Sequence, residues 1–516
     1  MSTKILLVGC VGGLIALSGA QAADLPVKAQ PIQYVKICSL YGVGFYYIPG
    51  TDMCIKVGGY VRVQAEWGSN NGFTAGSTNP GDFGISTITN GRFDRTSDNL
   101  NMTGRGVLTV DARNQSEYGT VRGYLRFGGQ TTGSGENNST FFVERAFIQF
   151  AGLTAGRAQS FFDTFTNTER FTYFDAKTSG DTYNYGVDLF AYTFRFGSGL
   201  SATVSAETQR HPVGVVDGAG GGFGTNGSVA VDTAGFNMPD VVGNLRIDQN
   251  WGYVGVSGAV HRVAGNYYGA GVNKAAGHPD DKLGWAAEVG GLVILPWGDS
   301  IGASLAGSQG AIGYVTKAGS WQILRGSSAG VGWTTDGIFD NTLNGAANRT
   351  AIQMTNAWSV NAGYEHNWNA RWRTSLYGGY TRVWYNGTAT DIAAEHLPTP
   401  PTAPGVACGQ PVEGAVWPPI TLNHGEGNSC SPNFSFWQIG SRTQWDITKD
   451  FYMGVDVVYT RLNTAYKGVA TNPAVIYNPG SGIFSAMDDQ STVSGIFRVQ
   501  YNISASNEGP SVVFGR

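Results

Sequence analysis

Beyond its leader, this chain has no apolar run near the roughly 18 residues that a membrane-crossing helix needs. The longest runs, such as Gly290 to Trp297, have the length of a strand. Methionine is scarce, at seven residues, and charged residues make up 14% of the chain. With 33 Lys+Arg against 37 Asp+Glu, the formal net charge of −4 excludes a generic nucleic-acid binder. Histidine is also rare, and His211, His261, His278, His366, His396 and His424 never pair at metal-ligand spacing. No G-x-S-x-G elbow marks a hydrolase nucleophile. Gly222 to Gly227 fits G-x-G-x-x-G but sits in a glycine-rich run that opens no helix, so the dinucleotide-binding context is missing. The sequence therefore calls for no catalytic residue, metal or cofactor.

What is present is glycine, at 76 residues, and aromatics, at 12%. The mean hydropathy of −0.13 suits a soluble protein, but it also suits a membrane barrel in which half of each strand faces water. The first 22 residues read as an export signal: Lys4 is the basic start, Ile5 to Leu17 the apolar stretch, and Ala20-Gln21-Ala22 the cleavage site. Cys10 lies in a weak lipoprotein-like box, but cleavage there would leave almost no apolar stretch before it.

The mature chain keeps Cys38, Cys54, Cys408 and Cys430. An even number in an exported protein suggests disulfides, and three pairings are formally possible. Proximity favours Cys38–Cys54 and Cys408–Cys430, each closing a short loop worth about 3 kcal/mol. A zinc site from His396, Cys408, His424 and Cys430 matches no standard finger spacing.

Residues 54–67, CIKVGGYVRVQAEW, alternate without a break. Val57, Val61, Val63 and Trp67 fall on one face, and Lys56, Tyr60, Arg62, Gln64 and Glu66 on the other. The same two-residue period recurs in about sixteen segments between 55 and 503. Short links such as Gly197-Ser198-Gly199 and Trp297-Gly298-Asp299 alternate with long ones at 68–99, 130–140, 161–185, 211–238, 263–282, 309–355, 387–434 and 464–488. That alternation predicts an all-β fold: a 16-stranded antiparallel transmembrane β-barrel with short periplasmic turns and long extracellular loops. Residues 23–54 form a periplasmic lead-in, 55–503 the barrel, and 504–516 a C-terminal tail.

Arginines recur in the inward phase of the first five strands. Arg62, Arg105, Arg126, Arg145 and Arg157 come from neighbouring strands at similar depth, with Arg122 beside them. A basic wall inside the lumen follows, because at the lipid mid-plane each arginine would cost about 2–4 kcal/mol. If Arg145 points inward, strict alternation sends Glu144 toward lipid, so a bulge, a subunit contact or a rim position must rescue it. The aromatic loop 161–185 carries Asp163, Glu169, Asp175 and Asp181. Folded inward, its acids would face the arginines across a narrow aperture.

Residues 34–62, YVKICSLYGVGFYYIPGTDMCIKVGGYVR, resemble the start of the alphaproteobacterial general-diffusion porins. Residues 145–165, 238–262 and 493–503 resemble later parts of the same family. The resemblance implies a homotrimer in the bacterial outer membrane, bathed in membrane lipid, that passes small hydrophilic solutes and ions with its third loop folded inward. Cys38 and Cys54 match the family's cysteine pair, and Arg62, Arg157 and Asp163 sit in matching motifs. Two features depart from the pattern. The last strand ends at Ile503 with a tail behind it, so either Tyr501 replaces the usual terminal aromatic or that strand is misplaced. The loops at 309–355 and 387–434 are longer than the family leads one to expect.

The leading expectation is a non-enzymatic passive diffusion channel. A substrate-specific channel on the same fold and a surface adhesin barrel are the rivals. A non-reduced peptide map tests the cysteine reading. It should contain both Cys38–Cys54 and Cys408–Cys430, and crossed pairs or four free thiols would refute it.

Overall fold

A computed structural model describes residues 37–68, 100–131, 139–167, 170–175, 178–183, 185–210, 215–217, 233–268, 274–317, 320–325, 328–340, 349–395, 406–407, 420–421, 431–469, 477–478, 482–483 and 486–503. The barrel strands are β1 (Cys54–Trp67), β2 (Asn101–Ser116), β3 (Gly119–Thr131), β4 (Ser139–Phe150), β5 (Leu153–Ala158), β6 (Val187–Gly197), β7 (Leu200–Glu207) and β8 (Asp240–Gln249). They continue as β9 (Gly252–Val263), β10 (Lys282–Ile294), β11 (Ser300–Gln309), β12 (Asn356–Asn367), β13 (Trp372–Trp384), β14 (Phe434–Asp446), β15 (Phe451–Asn463) and β16 (Gln490–Ile503).

Every strand pairs antiparallel with its sequence neighbours, and β16 pairs with β1 from Gly59↔Ile503 to Trp67↔Gly495. The sheet is thus a closed 16-stranded barrel with no free edge. Closure is what lipid demands, since an unpaired backbone group in the hydrocarbon costs several kcal/mol, on the order of a lost hydrogen bond or more.

Alternation sets the two faces. In β8, Val241, Leu245 and Ile247 are exposed, whereas Val242, Asn244 and Arg246 are buried. The outer phase is apolar to match lipid, and the inner phase carries the polar groups. Aromatic residues mark both rims. Near the extracellular end of β12–β15, Trp358 meets Tyr380 at 5.1 Å and Trp437 meets Tyr459 at 5.2 Å. At the periplasmic end Trp372 stacks on Trp445 at 5.5 Å, and Trp251, Trp297 and Trp368 stand exposed in the short turns.

Cys38 and Cys54 are disulfide-bonded, which ties the segment before β1 back onto its first residue. Tyr46–Tyr47 pairs with Ile55 and Cys54 as a two-residue strand. Phe45 and Tyr41 of this knob lie under the Arg113 guanidinium, at 4.9 and 5.6 Å. Cys408 and Cys430 lie outside the described residues, as do 1–36 and 504–516.

Among the described residues this all-β fold carries one α-helix, α1 (Gly387–Glu395), in the loop after β13. Asn386 starts it, its side-chain oxygen accepting from the Ala389 amide at 2.8 Å. Ala389, Ile392 and Ala393 then pack with Ile312, Val315 and Ile338 of the β11–β12 loop against inward-facing Ala306, Ala357, Val383, Phe436 and Leu462. An apolar core therefore sits inside the barrel, under the β11–β15 side.

Leu245 sits mid-strand on the lipid face, so Leu245→Arg should destabilise the protein by about 2–4 kcal/mol. Urea unfolding in phospholipid vesicles, followed by tryptophan fluorescence, reads this. A negligible change would place that face away from lipid.

Candidate functional site

The inner face of β1–β4 and β16 is basic. It carries Lys56, Arg62, Arg105, Arg113, Arg122, Arg126, Arg145 and Arg498 against Glu66, Asp111 and Glu144. Arg62 stands directly opposite Arg105, and Arg126 opposite Arg145. Like charges placed opposite one another are unfavourable, so the strands must supply acceptors between them. Tyr60 is one: Arg62 donates to its hydroxyl, and Arg105 Nε does so at 3.1 Å. Glu144 is the other, pairing with both Arg105 and Arg126, the latter at 2.6 Å. Deeper toward the periplasm, Asp111 holds Arg113 and Arg122, each at 2.9 Å.

Glu144 does not face lipid, as strict alternation requires. The register shifts between Arg126↔Arg145 and Phe127↔Val143, which leaves Glu144 as the extra residue of a β-bulge. Glu144 and Arg145 are therefore both buried inside. Arg145 completes its contacts on carbonyls, donating to Glu144 at 2.7 Å and to Tyr183.

Arg157 is a correction to the expected wall. It pairs in register with Ala146 and Asp188, on the face that exposes Ile148 and Phe190. The tight β4–β5 hairpin, pairing Phe150 with Leu153, carries the outward phase of Ala146 across to Arg157, which lies on the outer surface in an ion pair with Asp188 at 3.4 Å. Arg498 of β16, which the five-strand reading left out, joins the wall instead. Its Nη2 donates to Gln64 at 3.1 Å and to the Tyr173 carbonyl at 3.0 Å.

Residues 159–186, between β5 and β6, are held by inward-facing groups of the opposite wall. Ser257 of β9 donates to the Phe162 carbonyl at 2.6 Å, and Glu288 of β10 accepts from the Thr164 amide at 2.7 Å. Asn167 donates to the Ala362 and Gly378 carbonyls of β12 and β13, each at 3.2 Å. Asp456 of β15 accepts from Thr172 and from the Tyr173 amide, at 2.7 and 2.6 Å. The Tyr173 ring then lies against the Arg442 and Arg498 guanidiniums, at 5.2 and 4.2 Å. Inward glycines make the room: a Cβ at Gly302 would overlap the Phe165 ring, one at Gly363 the Phe171 ring, and one at Gly379 the Thr178 hydroxyl. This explains part of the glycine content, because a side chain at any of these positions would push the segment off the wall.

The described acids of this segment do not face the arginines of β1–β4. Asp163 pairs with Arg210 at 2.7 Å, both side chains 1% exposed, and accepts from the Thr182 amide at 2.9 Å. Asp175 pairs with Lys317 of the β11–β12 loop, which also stands 3.9 Å from Asp181. Burial, with Asp163 nearby, pushes the Asp181 carboxyl up to about 7. The same burial draws the Lys317 ammonium down to about 7, against the pull of Asp163. Desolvation penalises each charged form, so these groups lock two segments together and stay out of the open lumen. Glu169 lies outside the described residues.

His261 has a similar structural role. Its Nδ1 meets Asp240 at 2.8 Å and its Nε2 faces Asp336 at 3.5 Å. Asp240 also accepts from the Tyr314 hydroxyl at 2.8 Å, and Asp336 from the Ile312 amide at 2.8 Å. His261 thus joins β9 to β8 through Nδ1 and to the β11–β12 loop through Nε2. Sequence spacing gives no signal for this trio, since its members lie on three separate segments.

The glycine seats are testable. Gly302→Leu and Gly363→Leu should each unseat residues 159–186, at an overpacking cost of about 1–3 kcal/mol. Trypsin should then cut after Arg170 in the folded variants and leave the native protein intact at that bond. Equal resistance would mean the glycines have no part in seating the segment.

Three similarities bear on what this lumen belongs to. A family profile described as "Porin subfamily" matches residues 24–496. Porin Omp2b of Brucella melitensis biotype 1 is 33% identical over 274 residues, covering 49% of this chain and 64% of that protein. Its counterpart in Brucella abortus strain 2308 is 34% identical over 276 residues, with the same coverage, so the match takes in less than two thirds of these relatives' own length. The outer membrane channel DcaP of Acinetobacter baumannii has the same architecture, with a TM-score of 0.56 at 14% identity over 89% of this chain and 99% of that one. The profile spans the barrel as far as the middle of β16, and the chain belongs to the porin family of bacterial outer-membrane channels.

Proposed function

We propose that this porin is a passive diffusion channel for small hydrophilic solutes and ions, narrowest where residues 159–186 approach the arginine wall of β1–β4. One observation carries the reading: the segment crosses the barrel on a continuous track of inward-facing partners from β9 to β16. With the apolar core filling the β11–β15 side, the free cross-section is left beside β1–β4. The β11–β12 loop, anchored inward through His261 and Lys317, supports a channel over an adhesin whose loops reach outward.

A homotrimer is part of the proposal. Arg157 and Asp188 form an ion pair on the outer face, where lipid contact would be costly. The neighbouring outer phase of β2–β5 interleaves small residues, Gly104, Gly106, Gly123, Gly129, Ala146 and Ala155, with exposed Met102, Leu125, Phe141 and Ile148. Both features suit contact with a second copy of the chain. Export behind residues 1–22, with 23–54 left in the periplasm and 504–516 as a tail, completes the reading.

Purified protein in a planar lipid bilayer should give large, ohmic current steps, grouped in threes if one insertion brings three pores. Silence from folded, heat-modifiable protein would remove the channel reading. Block by one solute class alone would favour a substrate-specific channel.

A further inference from the structure

We infer that the lumen prefers anions, and that the guanidinium cluster around Tyr60 and Glu144 is a transit site for small carboxylate or phosphate-type oxyanions. The inference rests on the diffusion-channel reading and adds its solute class. Its first support is the charge on the wall. The five strands that form it carry eight basic side chains and three carboxylates, all on the inward phase.

The second support is what stands across from that wall. Opposed acids would give a transverse field with no net preference for either sign. Among the described acids of residues 159–186, Asp163 is consumed by Arg210, and Asp175 and Asp181 by Lys317, all away from the open lumen. Among the described residues at the end of the segment, Tyr185 brings a neutral phenol to this side. It lies within electrostatic reach of Arg105 and Glu144. The potential there is set by the wall, and excess fixed charge in a confined lumen concentrates counter-ions.

The third support is geometric. Arg62, Arg105 and Arg126 converge on Tyr60 and Glu144, and Arg105 lies over the Phe142 ring at 4.0 Å. Guanidinium forks match the two oxygens of a carboxylate or phosphate. Tyr60 and Glu144 already engage these forks, so an arriving anion competes with an internal acceptor and binds weakly. Weak binding is what passage requires, because a tight site would stop conduction.

The test is the reversal potential of the reconstituted protein in a tenfold potassium chloride gradient. Wild type should prefer chloride. The double variant Arg62→Gln with Arg126→Gln should lower the chloride-over-potassium permeability ratio by roughly threefold or more. Glu144→Gln should raise that ratio. Succinate on one side should reduce chloride current through wild type and do so less through the double variant. Wild type that conducts but prefers potassium overturns this inference and leaves the diffusion channel standing, whereas absence of any current removes both. A double variant that keeps wild-type heat-modifiability and wild-type selectivity also overturns it.

Discussion

Backbone hydrogen bonding in a solvent that offers none is the constraint on which this structure depends. Every N–H and C=O within the hydrocarbon must find a partner in the chain, and a sheet meets that demand only by closing on itself. Pairing of β16 with β1 is the last step of that closure. Once the sheet is closed, the two-residue period leaves no choice of faces: one phase meets lipid and the other a polar interior. The apolar outer phase and the arginine-rich inner phase are two consequences of one geometry.

A polar interior brings its own demand, since buried charges need partners. This protein supplies them in two ways. On β1–β4 the partners come from the wall itself, through Glu144 at the bulge and Asp111 below it. On the opposite side they come from loops, which arrive with carbonyls and carboxylates to meet Arg210, His261 and Arg442. The loops are held by the same contacts that satisfy the wall. Inward glycines let them lie flat against the strands, and α1 with its neighbours seals the upper part with an apolar core.

The bulge at Glu144 shows how a single extra residue changes a site. Without it, Glu144 would be on the lipid face and Arg105 and Arg126 would lack their shared carboxylate. With it, both Glu144 and Arg145 enter the lumen. Arg157, expected in the pore, is placed by the β4–β5 hairpin on the outer surface, where its pair with Asp188 bears on assembly.

Much of this was legible in the sequence. Strand number, strand limits to within a few residues, the lipid-facing phase and the alternation of short and long connections all follow from a local two-residue period and from turn residues. Arg62, Arg105 and Arg126 were legible for the same reason, since their strands run without interruption. The direction of Glu144 was not, because a bulge breaks the period without any mark in residue type, and that of Arg157 turned on the register of the β4–β5 hairpin. Nor could the sequence say that Asp163, Asp175 and Asp181 would be consumed by Arg210 and Lys317, from loops that meet them only after the barrel has closed. Periodicity reports which face a residue takes within its own strand. Which charge it meets there depends on long-range packing, and only the tertiary structure decides it.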